Sequence, residues 1–522
     1  MGFGHAEPIC DSGSRIADNF GSRAEPDRLL EERVRPERAA LFAGALYFAV
    51  LSAYAAFLGT WTDEEYTLAT TAHGFAFAWH RAIVFELQAP LYFAVLAVWR
   101  ALDPSVWFAR LFSIVCATGF LFTLFPILRR VAPERKPLLP ALCIACNPFV
   151  LYCALDIRLY APALLISALG WLAFDAGFVT GRSDAARVSF GLLAAVALYT
   201  QYFLGFAFVG YAAFLLVYGR VRALGPYIGV LVLSGIAALP LLGIVGSQIG
   251  GSGETAASAE SLLRETLVHP WLDFVLPYDR SWDALHLRAP YIALALALAF
   301  LVAYARPRVW PELGAAVASA LAIEALFVAV VLVFRLDLDT RHYVVLFVPA
   351  LVAGYALVAA LGRGPYPQIG TLVAWTYGAL TLAVAYAQHH QVAQVGDSKR
   401  VAAYLASHAR AGAVVAVFPA DALPVYARQY RGAARLVPFP KALPSGRYDI
   451  ARIDVNDENE VLRAFAALPR ATHVWLVMLG ACGDGATQYG CDHVLAGVRD
   501  GTDVLGERRF YDSRVFELRV RR

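Results

Sequence analysis

Three carboxylates in a row, Asp63-Glu64-Glu65, close the first long apolar run of this chain, which extends from Arg38 to Thr60. A carboxylate held where membrane meets water can take a proton from a hydroxyl or an amine. A fourth acid, Asp156, ends another apolar run and is followed by Arg158 and Tyr160, and a late run opens with Arg341-His342-Tyr343. Arginine grips phosphate oxygens in bidentate fashion. Acids and arginines gathered at run ends suit chemistry on a phosphate-bearing molecule that lives in the membrane. The competing reading of the triplet is structural, since acids favour the first turn of a helix. Glu65 is expected to be no more than a solvated residue of that turn, and His342 taken alone reads as a packed histidine.

The elements that must position these residues are apolar. Hydrophobic residues make up 59% of the 522 and charged residues 16%, against about 25% charged in soluble globular chains. Several runs exceed the roughly 18 residues that argue for a transmembrane helix. The expected fold class is a polytopic α-helical membrane protein with a C-terminal soluble α/β domain. A net charge of +3, without a basic run, excludes a nucleic-acid partner. Basic connections recur at 33–38, 129–136, 182–187, 220–222, 306–308 and 363. The positive-inside rule places them in the cytoplasm. The result is about eleven spans, near 38–60, 107–128, 137–153, 160–180, 188–200, 203–219, 226–246, 290–305, 312–334, 343–361 and 368–388.

Ala89–Leu102 is apolar but contains Pro90 and Arg100. Counting it as a span would flip every later loop, so it is expected in the outer interface as an amphipathic helix, with Thr62–Glu86 as a second one. Residues 61–106 then form a structured first outer loop. A second outer loop, 247–289, opens with Gly250-Gly251-Ser252-Gly253 and reads as a mobile lid. Residues 1–36 read as a mobile cytoplasmic tail and 37–390 as the membrane domain. From 397 to 522 the pattern becomes α/β: helix Ser398–Arg410, strand Ala413–Phe418, helix Ala422–Tyr430, strand His473–Leu479 and a hairpin within Arg508–Val520 turning at Asp512-Ser513. Span parity puts this domain outside. Cys482 and Cys491 flank a Gly-rich loop and could form a disulfide there. Cys116, Cys143, Cys146 and Cys153 lie in apolar runs and read as small hydrophobes. Glu324 lies mid-span and is expected to pair with a neighbouring helix.

Five short motifs share the outer side: Asp63-Glu64-Glu65-Tyr66, Ala89-Pro90-Leu91-Tyr92, Ala109-Arg110-Leu111, Asp156-Ile157-Arg158-Leu159-Tyr160 and Arg341-His342-Tyr343. In this order, over about 38–388, the chain resembles the GT-C superfamily of membrane glycosyltransferases. The likeness is to bacterial members such as protein O-mannosyltransferases and lipid A aminoarabinose transferases. The resemblance implies a transfer, with inversion, of a sugar from a polyprenyl-phosphate-linked donor to a glycan, lipid or protein acceptor. The reaction would take place at the outer face of a bacterial inner membrane. It implies Asp63 as general base, with Glu64 and Asp156 shaping the same site. Arg158, Arg341 and His342 would bind donor phosphate. Gln88, Tyr92, Tyr160 and Tyr343 would shape the substrate pocket. Many relatives have His where Gln88 stands, and Gln cannot titrate, so a hydrogen-bonding role is what this chain retains. No cofactor is called for, and the outer carboxylates are not spaced as a metal site. The alternative is a lipid or solute transporter with an accessory outer domain. A transporter should show internal repeats or helices broken near the midplane, and the polar residues here cluster at one face instead.

Overall fold

The computed structural model describes residues 25–181, 183–249, 259–268, 310–336, 338–362, 398–443, 453–468, 473–479, 488–510 and 513–521, with isolated positions within 270–274 and 368–383. The expected spans 290–305 and 368–388, most of the 247–289 loop, and Cys482 fall largely or wholly outside these residues. The chain is a polytopic α-helical membrane protein with a C-terminal α/β domain. Among the described residues six helices are long and apolar enough to cross a bilayer: Arg38–Ala55, Val106–Val131, Tyr160–Val179, Val221–Ala238, Pro311–Phe334 and Thr340–Ala359.

The first helix, α1, runs Glu25–Ala55, so the last residues of the expected mobile tail are a helical extension of the first span. The first loop carries three short helices: α2 (Thr62–Thr70), α3 (Phe75–Val84) and α4 (Leu91–Arg100). The single helix expected over 62–86 is thus two. Gly74 breaks it at φ 83°, a left-handed conformation that costs glycine nothing and other residues something. Helix α5 (Val106–Val131) starts at Ser105, whose hydroxyl accepts from the Phe108 N–H, a side-chain N-cap.

The span expected at 137–153 is bent by 61° between α6 (Leu138–Ala145) and α7 (Pro148–Leu155). Asn147 caps α7 by accepting from Phe149 N, and Pro148 fills the first helical position. Then come α8 (Tyr160–Phe174), continued by a π-helical turn at Asp175–Val179, α9 (Asp184–Thr200) and α10 (Phe206–Val217). The run expected at 226–246 divides into α11 (Leu224–Ala238) and α12 (Pro240–Ile249). A short α13 (Ala259–Leu267) precedes α14 (Trp310–Phe334) and α15 (Val344–Gly362).

These helices pack through aromatic rings. Phe174 stacks on Tyr211 at 4.5 Å, with Trp171, Phe190 and Tyr227 around the pair. The lipid-facing surfaces stay apolar and exposed, as at Phe42 and Val50 of α1 and Val232 and Leu233 of α11. Glu324 of α14 is buried, and among the described residues neither of its carboxylate oxygens has a hydrogen-bond partner.

The C-terminal domain is a five-stranded sheet in the order β2-β1-β3-β5-β4. Its strands are β1 (Val414–Phe418), β2 (Arg435–Pro438), β3 (His473–Leu479), β4 (Thr502–Arg509) and β5 (Ser513–Val520). Strands β2, β1 and β3 are parallel, and β5 and β4 add an antiparallel edge. The hairpin begins at Thr502, six residues before the expected start at Arg508. Helices α16 (Ser398–His408) and α17 (Leu423–Gln429) cover one face through Val401, Leu405 and Tyr426. Helices α18 (Glu458–Ala466) and α19 (Cys491–Gly501) cover the other through Val461, Phe465 and Val494. Cys491 is disulfide-bonded.

Candidate functional site

One end of the helix bundle gathers the polar residues singled out above, and the C-terminal domain sits on that end. Asp63 occupies the first turn of α2, where backbone N–H groups favour an acid. Its Oδ2 lies 3.0 Å from Arg341 Nη1 and 3.9 Å from Arg158 Nη2, and its side chain is 23% exposed. Arg341 belongs to the short 3-10 turn Thr340–Tyr343 that opens α15. It is also 3.5 Å from Asp339 and lies over the rings of Trp61, at 5.0 Å, and Tyr160, at 5.8 Å. A partly open carboxylate therefore stands next to a guanidinium oriented by two aromatic faces.

Glu64, one residue on, turns inward. Both of its oxygens accept from Arg110 Nη2 at 2.8 Å, and one accepts from the Ile157 N–H at 2.9 Å. Arg110 also donates to the Gly59 carbonyl, tying α5 to the end of the first span. Glu64 is thus a buried structural clamp and not part of the open site. Asp156 ends α7, fully buried; its Oδ1 accepts from Trp61 Nε1 at 3.1 Å, and Ser113 donates to its backbone oxygen. Burial pushes its carboxyl up, and the charge of Glu64 adds to that. Burial also raises the affinity of Glu64 for a proton, and Arg110 opposes that; Asp156 braces Trp61 beneath Arg341.

Arg158, expected on donor phosphate, is enclosed. It donates to Thr67 at 2.9 Å and to Glu86 at 3.1 Å, with 5% of its side chain exposed. Burial raises the affinity of Glu86 for a proton, and Arg158 opposes that. Glu86 follows α3 and precedes Leu87, which holds a left-handed φ of 55°, a strained conformation for leucine. The sequence showed Glu86 as an outer acid but offered no partner for it.

His342 turns its Nδ1 to its own backbone, 3.1 Å from the Asp339 N–H, and so closes the 3-10 turn rather than reaching for an anion. Tyr343 points away: its hydroxyl donates to Thr266 of α13 and its ring packs on Phe327 at 4.3 Å. Tyr160 stays with the cluster beside Arg341. Tyr92 is buried and Gln88 half-buried, and among the described residues the Tyr92 hydroxyl and Gln88 Oε1 have no hydrogen-bond partner.

Glu65 is not solvated. It is buried, accepts from Thr60 at 2.6 Å, and forms a two-pronged ion pair with Arg428 of α17, one prong at 2.7 Å. Lys399 of α16 donates to the carbonyls of Phe57 and Leu58 beyond the end of α1. These contacts seat the C-terminal domain on α2. They bring Asp421 and Tyr489 of that domain within charge range of Asp63.

No family model matches the chain, and no curated protein does. Among solved structures the chain is similar to ArnT from Cupriavidus metallidurans bound to undecaprenyl phosphate. That match covers 91% of this chain and 97% of the other, at 15% sequence identity and a TM-score of 0.46.

Proposed function

We propose that this chain is a glycosyltransferase that moves a sugar from a polyprenyl-phosphate-linked donor to an acceptor, at the outer face of the inner membrane. The observation that carries this reading is the Asp63–Arg341 pair. An open carboxylate and an aromatic-braced guanidinium stand 3.0 Å apart at the membrane-end cluster. Donor phosphate would take Arg341 and leave the Asp63 carboxylate turned to the acceptor.

In the reaction the acceptor oxygen or nitrogen bonds to the anomeric carbon from the face opposite the phosphate. The bond from that carbon to the phosphate oxygen breaks, and its electron pair leaves with polyprenyl phosphate. The acceptor proton passes to Asp63. Arg341 stabilises the charge that develops on the leaving phosphate. Arg158, locked by Glu86 and Thr67, holds Asp63 in place from the buried side. Displacement from the opposite face inverts the anomeric centre.

The test uses purified protein in nanodiscs and a labelled polyprenyl-phosphate-linked sugar. Asp63→Asn is expected to fold and bind donor, yet lose transfer by about a hundredfold or more, the scale of a missing general base. Arg341→Ala is expected to weaken undecaprenyl phosphate binding by about tenfold or more. Full activity in the first variant removes Asp63 as base, and unchanged binding in the second removes the phosphate contact.

A further inference from the structure

The end of the helix bundle away from Asp63 holds a basic cavity. Helix α8 starts at Tyr160, beside Arg341, and its π-helical continuation ends at Val179. At about 1.5 Å per residue the two ends of this 20-residue span lie roughly 30 Å apart. The cavity next to Val179 is therefore at the opposite membrane face. It measures about 590 Å³, and Thr180, Gly181, Arg187, Gly219, Arg220 and Arg222 are among its lining residues. Small-molecule sites occupy about 300–1,000 Å³.

The backbone turns around this space on two sides. The π-helical turn Asp175–Val179 ends α8, and the Thr180 N–H and hydroxyl both donate to the Asp175 carbonyl, at 2.8 and 3.0 Å. The chain then reverses at Gly181, φ 64°, and α10 is followed by a similar reversal at Gly219, φ 78°. Glycine adopts these angles freely. A Cβ at either position would meet nothing within 4 Å, so the chain bends around open space and not around a neighbour.

The arginines of this cavity are not used up by the fold. The last carbonyls of α10 are satisfied by backbone: Leu215 accepts from the Arg220 N–H at 2.8 Å and Leu216 from the Gly219 N–H at 3.2 Å. The Arg220 and Arg222 side chains have no acid or hydrogen-bond partner among the described residues. Arg187 of α9 is held in place by its Nε, which donates to the Gly177 carbonyl at 2.9 Å, and its guanidinium lies 5.9 Å from the Phe178 ring. Its acid is Asp184, at 2.8 Å and largely exposed.

An apolar surface leads away from the cavity. Helices α9 and α11 pack side by side, with Ser234 donating to the Gly191 carbonyl at 2.9 Å. Val188, Leu192 and Val196 of α9 are exposed, and so are Ile228, Val232 and Ile236 of α11. Each set repeats every four residues and so forms a strip along one helix face. Each strip starts near the cavity end of its helix and runs roughly 12 Å, close to one leaflet's share of a hydrocarbon core about 30 Å thick.

The geometry points to a binding site for an anionic phospholipid: the arginines hold its phosphate in the cavity, and its two acyl chains lie along the strips of α9 and α11. Guanidinium groups suit phosphate oxygens. A zwitterionic headgroup would bring its own cation to a cavity lined by cations, so a net negative headgroup is preferred. A free phosphate would use the arginines and leave the strips unused. The basic connections of the sequence assign this face to the cytoplasm, where the membrane surface is negative. The site is separate from the Asp63 cluster and stands whether or not the chain transfers sugar.

The experiment titrates purified full-length protein in detergent with dioleoylphosphatidylglycerol, dioleoylphosphatidylcholine or inorganic phosphate, and reads bound lipid by native mass spectrometry. The wild type is expected to bind the first phosphatidylglycerol about twentyfold or more tighter than phosphatidylcholine, at about fivefold per arginine. Arg220→Gln with Arg222→Gln is expected to remove about twentyfold of this preference, and Arg220→Lys with Arg222→Lys to restore most of it. Arg129→Gln with Lys136→Gln takes the same charge from the same end outside the cavity, and is expected to change the preference by less than about twofold. Equal binding of the two lipids by the wild type overturns the site, and this comparison holds even if a variant misfolds. An equal loss in the Arg129 and Lys136 variant also overturns it, since the attraction would then belong to the whole face. Displacement of the lipid by inorganic phosphate at matched concentration overturns the lipid assignment in favour of a free phosphate.

Discussion

Neighbouring residues on an α-helix point about 100° apart, and at the start of α2 that angle separates two chemistries. Asp63 faces the open cluster with Arg341, while Glu64 is sunk against Arg110 and the Ile157 N–H. The sequence shows two adjacent acids and cannot say which way each turns. The partners that decide it lie 46 and 93 positions away for Glu64. Glu65 escaped notice for the same reason, since Arg428 is 363 residues distant. Glu64→Gln leaves Arg110 buried without its counter-charge, which costs about 3–5 kcal/mol. Thermal unfolding in detergent is expected to show that loss, and a midpoint equal to the wild type would mean the pair is not what joins α5 to α2.

At the scale of elements, the boundaries readable in the sequence are those set by local chemistry. Hydropathy located α1, α5, α8, α14 and α15, and alternation and apolar runs located β1 and β3. The bend between α6 and α7 carries its own signal in Asn147-Pro148, an N-cap followed by the residue favoured at the first helical position. Gly74 signals the break between α2 and α3, and Pro240 the one between α11 and α12, in the same way. Hydropathy alone runs straight through all three. The α6–α7 bend is not an open coordination site of the kind transporters use. Asn147 closes it by donating to the Phe274 carbonyl and the Tyr377 hydroxyl, at 2.8 and 2.7 Å.

The contact between α2 and α17 was illegible because it joins two domains. Arg428 is 41% exposed, so its pair with Glu65 is worth about 1 kcal/mol or less to stability. Its effect is on placement. Arg428→Ala is expected to leave the unfolding midpoint within a few degrees while increasing protease cleavage between the membrane and C-terminal domains. Unaltered cleavage would show that Lys399 and the remaining contacts suffice to seat the domain.

For the whole molecule, acidity of the medium becomes a lever. The Asp421 carboxyl moves from its ordinary 3.8 to about 7 on folding. The folded form keeps this proton where the unfolded chain has lost it. Asp421 therefore contributes stability that is complete below pH 3.8 and is lost as the pH rises toward 7. Replacing it by Asn removes that dependence. The thermal midpoint of Asp421→Asn relative to wild type is expected to be higher at pH 7 than at pH 4, and a constant difference would count against a buried, proton-holding Asp421. The fold class of this molecule was legible because a bilayer and a sheet each impose a pattern on neighbouring residues. The meeting of the two domains left no such pattern, since Glu65, Asp421 and Tyr489 answer to partners in the other half of the chain.

The docked domain also bears on waste. If the protein is the glycosyltransferase proposed above, an activated lipid-linked sugar beside Asp63 would be open to attack by water, and each such event would consume a carrier to no effect. Glu65 grips Arg428, and Lys399 grips the carbonyls past α1, so the soluble domain is seated on α2 beside a partly exposed Asp63. In that reading a seated domain would leave water less room to compete with the proper nucleophile. The ion pair would in this sense be a guard on fidelity: it would decide less how fast the sugar moves than whether it reaches its acceptor.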